Sequence, residues 1–274
     1  MTRPVRSSVL QIVRRNGAVT SGRRFVPEEV PIAFSFNGTT HAVMMASPAD
    51  LEDFAIGFAI TERIVVSPED IGKMAIVDHD EGVDIQMTLK DKAGGAFEAR
   101  RRHMAGPVGC GLCGIESIEE ALRPVPEVKD AGIVLAADDI ARAARHLTSH
   151  QPLNAETRAV HAAGLYVPGK GIVAAREDVG RHNALDKLAG ALAREKMDAS
   201  KGAVVITSRV SVEMVQKTAA TGATVLLAVS APTALALRTA EDAGMTLVAL
   251  VRGDDFEIFT CPDRIGAGAA AHVA

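Results

Sequence analysis

Apolar and polar positions take two different periods along this chain, and the change marks its halves. Between Glu29 and Met45 the period is two. Pro31-Ile32-Ala33-Phe34-Ser35-Phe36 and His41-Ala42-Val43-Met44-Met45 are β-prone runs, and Asn37-Gly38 between them signals a hairpin. A helix follows, with Ser47 expected as N-cap and Pro48 at its first position. Phe54, Ile56, Phe58, Ala59 and Ile60 make it mostly buried. Two more strands are predicted near Met74–Asp78 and Val83–Leu89, joined by His79-Asp80-Glu81-Gly82, and a third near Phe97–Arg101. These elements define a small α+β unit over residues 25–103. Residues 1–24 are polar and basic and read as a flexible arm.

Beyond Pro124-Val125-Pro126 strands and helices alternate. Asp138 is expected to cap a helix running to about His150. Gly164–Val167 and Gly171–Ala175 read as a hairpin, and Leu185, Leu188, Ala189 and Leu192 mark a helix. Strands are predicted at Ala203–Thr207, Val225–Val229, Thr246–Val251 and Phe256–Thr260, with helices at Val212–Thr221 and Pro232–Ala243. Such alternation with short joints predicts a three-layer α/β/α domain over residues 124–265. The Gly-Ala run over 266–274 reads as a disordered tail.

Composition narrows the function classes. The 274 residues are 47% hydrophobic, enough for a substantial core in one large or two smaller domains. A net charge of −4 offers no global basic field for nucleic acid, and 3% aromatics without Trp offer no base-stacking platform. No apolar run of about 18 residues predicts a membrane span. The basic start, Arg3, Arg6, Arg14 and Arg15, has no apolar stretch behind it, so no export signal is read and a cytoplasmic protein is expected.

Two of the three cysteines lie in Gly109-Cys110-Gly111-Leu112-Cys113-Gly114. Ile115, Ile118 and Leu122, spaced by Glu116, Glu119 and Glu120, follow as a short amphipathic helix, so residues 104–123 read as a loop entering a helix N-terminus. Free N–H groups and the helix dipole favour an anion there, and a cysteine so placed ionises below the ordinary value of about 8.5. Thiolate chemistry, a dithiol switch and a structural metal site all remain open from the residues alone. His79-Asp80-Glu81 with Pro107, Cys110 and Cys113 only partly matches the zinc deaminase pattern, since Pro107 is not adjacent to Cys110.

Three polar turns are candidate binding elements. Arg176-Glu177-Asp178-Val179-Gly180-Arg181-His182-Asn183 crowds charge at a strand-to-helix joint, where layered α/β folds bind ligands. In Thr207-Ser208-Arg209-Val210-Ser211-Val212-Glu213, Ser211 can cap a helix, while Arg209 opposes the helix dipole and suits a phosphate. Val251-Arg252-Gly253-Asp254-Asp255 reads equally as a hairpin turn. His161 is a lone histidine with no partner evident in sequence.

Taken together, Cys110–Gly114, Arg176–Lys187 and Ala231-Pro232-Thr233-Ala234-Leu235-Ala236 resemble the FdhD/NarQ family, as do Asn37-Gly38, Thr246-Leu247-Val248 and Arg252. The resemblance runs from about Glu29 to Ile265. It implies a sulfur carrier needed for formate dehydrogenase activity, with a C-terminal domain of cytidine-deaminase-like fold, acting as a homodimer. It implies that sulfur arrives as a persulfide from a cysteine desulfurase. The sulfur then passes to the molybdenum bis(guanine dinucleotide) cofactor, a bound client rather than a permanent group, before a molybdenum-dependent formate dehydrogenase takes it. Cys110 is the expected persulfide carrier, Cys113 its assistant, and Cys261 uninvolved. The cofactor is expected against Arg176, Asp178, Arg181, His182 and Asn183, against Arg209 and His161, and against Leu250, Val251, Arg252, Gly253, Asp254 and Asp255. The chain departs from the family pattern where glycines are replaced, at Arg63, Arg158, Ala159 and Ser208.

Overall fold

Three sheets organise the computed structural model, which describes residues 3–90, 93–95, 125, 127–128 and 132–266. Where a flexible arm was expected, β1 (Arg6–Arg15) and β2 (Ala18–Pro27) pair as an antiparallel ribbon. Its turn is Asn16-Gly17, both at positive φ, the turn chemistry that closes a two-residue hairpin.

The second sheet runs in the order β4-β3-β6-β5, from β3 (Val30–Phe36), β4 (Thr39–Ala46), β5 (Ile71–His79) and β6 (Gly82–Leu89). Alternate residues Ile32, Phe34, Phe36, Val83, Ile85 and Met87 point to one face and are buried there under helix α1 (Leu51–Thr61). The Phe34 ring stacks on Phe58 at 4.2 Å and meets Phe54 edge-on at 4.9 Å. Ser47 is not the N-cap of α1. Asp50 takes that place in a left-handed conformation, φ 52°, because Ser47 is engaged by the other domain. The strand expected at Phe97–Arg101, the Cys110–Cys113 motif, its helix and residues 267–274 of the tail lie outside the described residues.

The third sheet has six strands in the order β12-β11-β10-β9-β7-β8. They are β7 (His161–Val167), β8 (Gly171–Asp178), β9 (Ala203–Ile206), β10 (Val225–Ala228), β11 (Thr246–Arg252) and β12 (Asp255–Thr260). Its parallel centre, β9-β10-β11, is covered on both faces. Val204, Ile206, Leu226, Ala228 and Leu247 pack beneath α4 (Arg181–Arg194), α5 (Val212–Ala220) and α6 (Ala234–Asp242). Their neighbours Ala203, Val205, Val225, Leu227 and Val248 pack beneath α2 (Ala137–Ser149). The α/β/α layering is therefore present. Two expected helix starts move. Asp138 lies in the first turn of α2 while Asp139 accepts the Ala136 N–H at 3.1 Å, and α6 starts after Thr233, whose hydroxyl accepts the Ala236 N–H. A short helix absent from the sequence reading, α3 (Pro152–Thr157), precedes β7.

The two domains meet where α1 crosses α4 at two glycines. A Cβ on Gly57 would stand 1.7 Å from the Asp186 carbonyl oxygen, and one on Gly190 would stand 1.8 Å from that of Asp53. The helix backbones touch, and only glycine permits that approach. Buried ion pairs surround the crossing. Lys187 pairs with Asp178 at 2.6 Å with both side chains fully enclosed, and Lys217 pairs with Asp186 at 2.8 Å and Glu62 at 2.7 Å. Among the described residues no helix is long and apolar enough to cross a membrane.

Candidate functional site

β7 runs antiparallel to both β8 and β9, so β8 ends on the same edge of the sheet as β9, β10 and β11. That carboxyl edge is where loops of an open α/β sheet are free to hold a ligand. Backbone bonds stitch its segments together. The Thr207 N–H donates to Ala162 O at 3.1 Å, Val210 N–H to Ala231 O at 3.1 Å, and Leu250 N–H to Ser230 O at 3.3 Å. His161, at the start of β7, thus lies beside the Thr207–Ser211 turn, and Leu250 lies one strand further along.

His182 and Glu213 occupy the first turns of α4 and α5, and His182 Nε2 meets a Glu213 carboxylate oxygen at 2.8 Å. Burial works against ionisation of Glu213, but the His182 hydrogen bond and the nearby charges of His182, Lys217 and Arg181 outweigh it and hold the carboxyl below its usual range. For His161, burial comes first and the charges of Arg181 and His182 add to it, so its pKa falls below the usual histidine value. The cluster therefore sets His161, whose charged form is disfavoured, beside the Arg181 guanidinium and the His182–Glu213 pair. The Arg181 Nε and the Ser211 hydroxyl are enclosed without a partner among the described residues. Ser211 is the N-cap of α5, as expected, yet its side chain makes no capping bond. Unsatisfied donors at two helix N-termini are what an anionic group would complete. Arg209 and Arg252 stand exposed on the same edge.

Leu250 adds a backbone signal. Its φ of 56° is left-handed, and the β11–β12 register shifts between Ala249 and Arg252. A bulge carrying a strained non-glycine residue at a sheet edge re-aims the chain, and such strain concentrates at ligand sites. Arg252, Gly253, Asp254 and Asp255 form the turn after it, with Asp254 tied to Arg145 of α2 at 2.8 Å.

Three of the expected binding residues face the other domain instead. Arg176 pairs with Asp53 at 2.6 Å. Asp178 accepts from the Ser47 N–H at 3.0 Å and the Asn183 amide at 2.9 Å while holding Lys187. Asn183 also donates to Met45 O at 2.9 Å. Glu177, on the opposite side of β8, accepts the Leu153 and Asn154 N–H groups and so caps α3. A cleft of about 520 Å³ opens at this seam near Arg176, but its arginines are already paired, Arg194 with Asp53 and Glu52 and Arg3 with Asp78. It offers an anion little, whereas the Arg181 Nε and Ser211 hydroxyl, unpartnered among the described residues, lie at the carboxyl edge. Sequence reading missed Glu213 as the partner of His182. The available signal was a histidine and an acid at equivalent starts of successive helices.

Cys110 and Cys113 lie outside the described residues. Cys261 is half-buried after β12. Burial raises its pKa, the Glu241 carboxylate raises it further, and the thiol is thereby kept protonated and weakly nucleophilic. Among the described residues no group of three or more His, Cys, Asp or Glu is arranged to hold a metal.

Fold and site together define a two-domain α/β protein whose larger sheet gathers Arg181, His182, Arg209, Glu213 and Arg252 at its carboxyl edge. Comparison gives the family. Residues 27–266 match the FdhD/NarQ family, and the chain belongs to it. Sulfur carrier protein FdhD of Agrobacterium fabrum is 58% identical over 94% of this chain and 95% of its own. The protein of the same name from Xanthomonas campestris pv. campestris is 46% identical over 97% and 96%. A crystal structure described as a formate dehydrogenase accessory protein from Desulfotalea psychrophila superposes with a TM-score of 0.76 at 28% identity, covering 96% of this chain and all of that one.

Proposed function

We propose that this protein is a sulfur carrier in formate dehydrogenase maturation. The observation that carries the reading is a 58% identical relative bearing that name and spanning 94% of the chain. In this reading Cys110 accepts sulfur from a cysteine desulfurase. Its thiolate attacks the outer sulfur of the donor persulfide, a new S–S bond forms at Cys110, the donor S–S bond breaks, and the donor leaves as a thiolate. No external oxidant is needed. The Cys113 thiolate then attacks the inner sulfur at Cys110. The outer sulfur leaves at the sulfide level for the molybdenum bis(guanine dinucleotide) client of a molybdenum-dependent formate dehydrogenase, and the Cys110–Cys113 disulfide left behind is reduced by a cellular dithiol. The protein acts in the cytoplasm as a homodimer.

The cofactor is the client, and the carboxyl edge fits its diphosphate. Arg181, Arg209 and Arg252 supply cationic donors with His182 beside them, and the N-termini of α4 and α5 supply backbone N–H groups. The strained Leu250 segment supplies a wall at the same edge. Arg176, Asp178 and Asn183 support the site by fixing the domain seam.

The test is intact mass after incubation with a cysteine desulfurase and cysteine, with three single variants. Wild type should gain a sulfur that reductant removes. Cys110→Ala should lose both the gain and formate dehydrogenase activation, Cys113→Ala should be impaired, and Cys261→Ala should match wild type. Full labelling and activation in Cys110→Ala would overturn the assignment.

A further inference from the structure

The β1–β2 ribbon carries its apolar side chains into solvent. Leu10 and Ile12 are each 79% exposed, Val19 64% and Phe25 43%. The register sets Ser8 opposite Phe25, Leu10 opposite Arg23, Ile12 opposite Ser21 and Arg14 opposite Val19. Opposed residues of an antiparallel pair share a side, as do residues two apart along a strand. Phe25, Leu10, Ile12 and Val19 therefore lie on one face, interleaved with Arg6, Arg14 and Arg23. The sheet is only two strands wide, so both outer edges present unpaired backbone groups over ten residues. A two-stranded ribbon is marginal alone and gains from a surface that covers its face.

Charge identifies that surface. Residues 1–27 hold six arginines and no acid, while the rest of the chain holds 24 Lys and Arg against 34 Asp and Glu. The base of the ribbon already exploits the contrast. Arg3 pairs with Asp78, Arg6 with Glu156, and Arg24 donates to Thr157 O at 2.8 Å. Further out, Arg14, Arg15 and Arg23 make no ion pair among the described residues. Two ribbons stacked together would bring like charges face to face, and an anionic lipid surface would repel the acidic body behind the ribbon. An acidic body of the same kind meets neither objection.

We propose that the ribbon of one copy docks, apolar face down, on the acidic body of a second copy, reciprocally, closing a two-fold dimer. The family match begins at Pro27, the last residue of the ribbon, so residues 6–26 stand outside the matched segment. The proposal assigns an element to the homodimer of the sulfur-carrier reading and does not depend on sulfur loading.

Sedimentation of the full-length protein tests it. Wild type should sediment as a dimer that weakens as salt is raised. Leu10→Asp/Ile12→Asp and Arg14→Glu/Arg23→Glu should each weaken association about a hundredfold, with circular dichroism unchanged because these side chains face solvent. A photoreactive residue at position 12, in a mixture of ¹⁴N- and ¹⁵N-labelled protein, should link to residues 28–274 of the differently labelled copy. A monomeric wild type, undiminished dimers in both variants, or mixed-label links confined to residues 6–27 would overturn the proposal. So would binding to phosphatidylglycerol vesicles without mixed-label links. The same variants should load persulfide as wild type does, so a failure of sulfur loading and a failure of this contact read out separately.

Discussion

At the scale of single residues, His161 is the most informative titrating group on the carboxyl edge. Burial and the charges of Arg181 and His182 lower its pKa, so the unfolded chain binds the extra proton more readily than the folded one. Stability is unaffected above the unfolded value of about 6.5, falls as pH drops through it, and levels off below the folded value. His161→Gln should flatten that slope in chemical denaturation between pH 5 and 8. In the proposed function a bound phosphate reverses the local charge, so affinity for GDP, used as the nucleotide part of the proposed client, should rise as pH falls through the same window, and calorimetry reads it. Arg181→Ala, Arg209→Ala and Arg252→Ala should each cost about 1.5–3 kcal/mol of GDP binding. Arg176→Ala should instead lower stability and leave GDP affinity near wild type, because its guanidinium is spent on Asp53. Two of the replaced family glycines give a further reading. Arg63 and Arg158 both sit at left-handed φ, 56° and 54°, so the backbone keeps the conformation glycine favours while the glycine is gone. Arg158→Gly, at the end of α3, should raise stability by up to about 1 kcal/mol, since relief of the strain exceeds the added chain entropy.

At the scale of elements, the α1–α4 crossing is set by glycine rather than by interdigitated side chains. Gly57→Ala or Gly190→Ala would drive a methyl into a carbonyl, and the helices must separate. Either should cost about 3 kcal/mol or more in urea unfolding, against little change for Gly22→Ala, where nothing lies within 4 Å. Most elements were legible because their signals are local. Asn37-Gly38 sits between period-two runs, and the strands of the third sheet are short apolar runs between polar joints. The first ribbon has the same Asn-Gly turn, at Asn16-Gly17, but the polar and basic residues around it read as an arm. Helix α3 was invisible because Glu177, more than twenty residues away in sequence, caps it. Ser47 carried a true N-cap signal and lost that place to a tertiary use, with its N–H on Asp178 and its carbonyl on Lys187.

At the scale of the whole molecule, the run from Arg176 to Lys187 has two roles that no local pattern separates. A charged strand-to-helix turn reads as a ligand site whether it faces solvent or another domain. Here Arg181 and His182 face the edge, while Arg176, Asp178, Asn183, Asp186 and Lys187 lock the domains together. The lock makes a firm prediction around Lys217. Burial alone would favour its neutral form, but Asp186 and then Glu62 outweigh that and raise its pKa. Its contribution to stability is therefore full below the unfolded value of about 10.4 and is lost only as pH rises through the higher folded value. Asp186→Leu would leave an enclosed ammonium with Glu62 and Thr61 alone, and should cost about 3–5 kcal/mol. Lys217→Met should cost a similar amount by stranding the Asp186 carboxylate. Asp186→Leu/Lys217→Met together should recover most of the loss, because both desolvated charges go at once and apolar contacts replace them. Wild type should unfold in one transition, since the pair ties α1 to both α4 and α5. Each single variant should split it in two as the domains part company. If the double variant instead loses the sum of the single costs and the transition stays undivided, the pair is not what couples the domains.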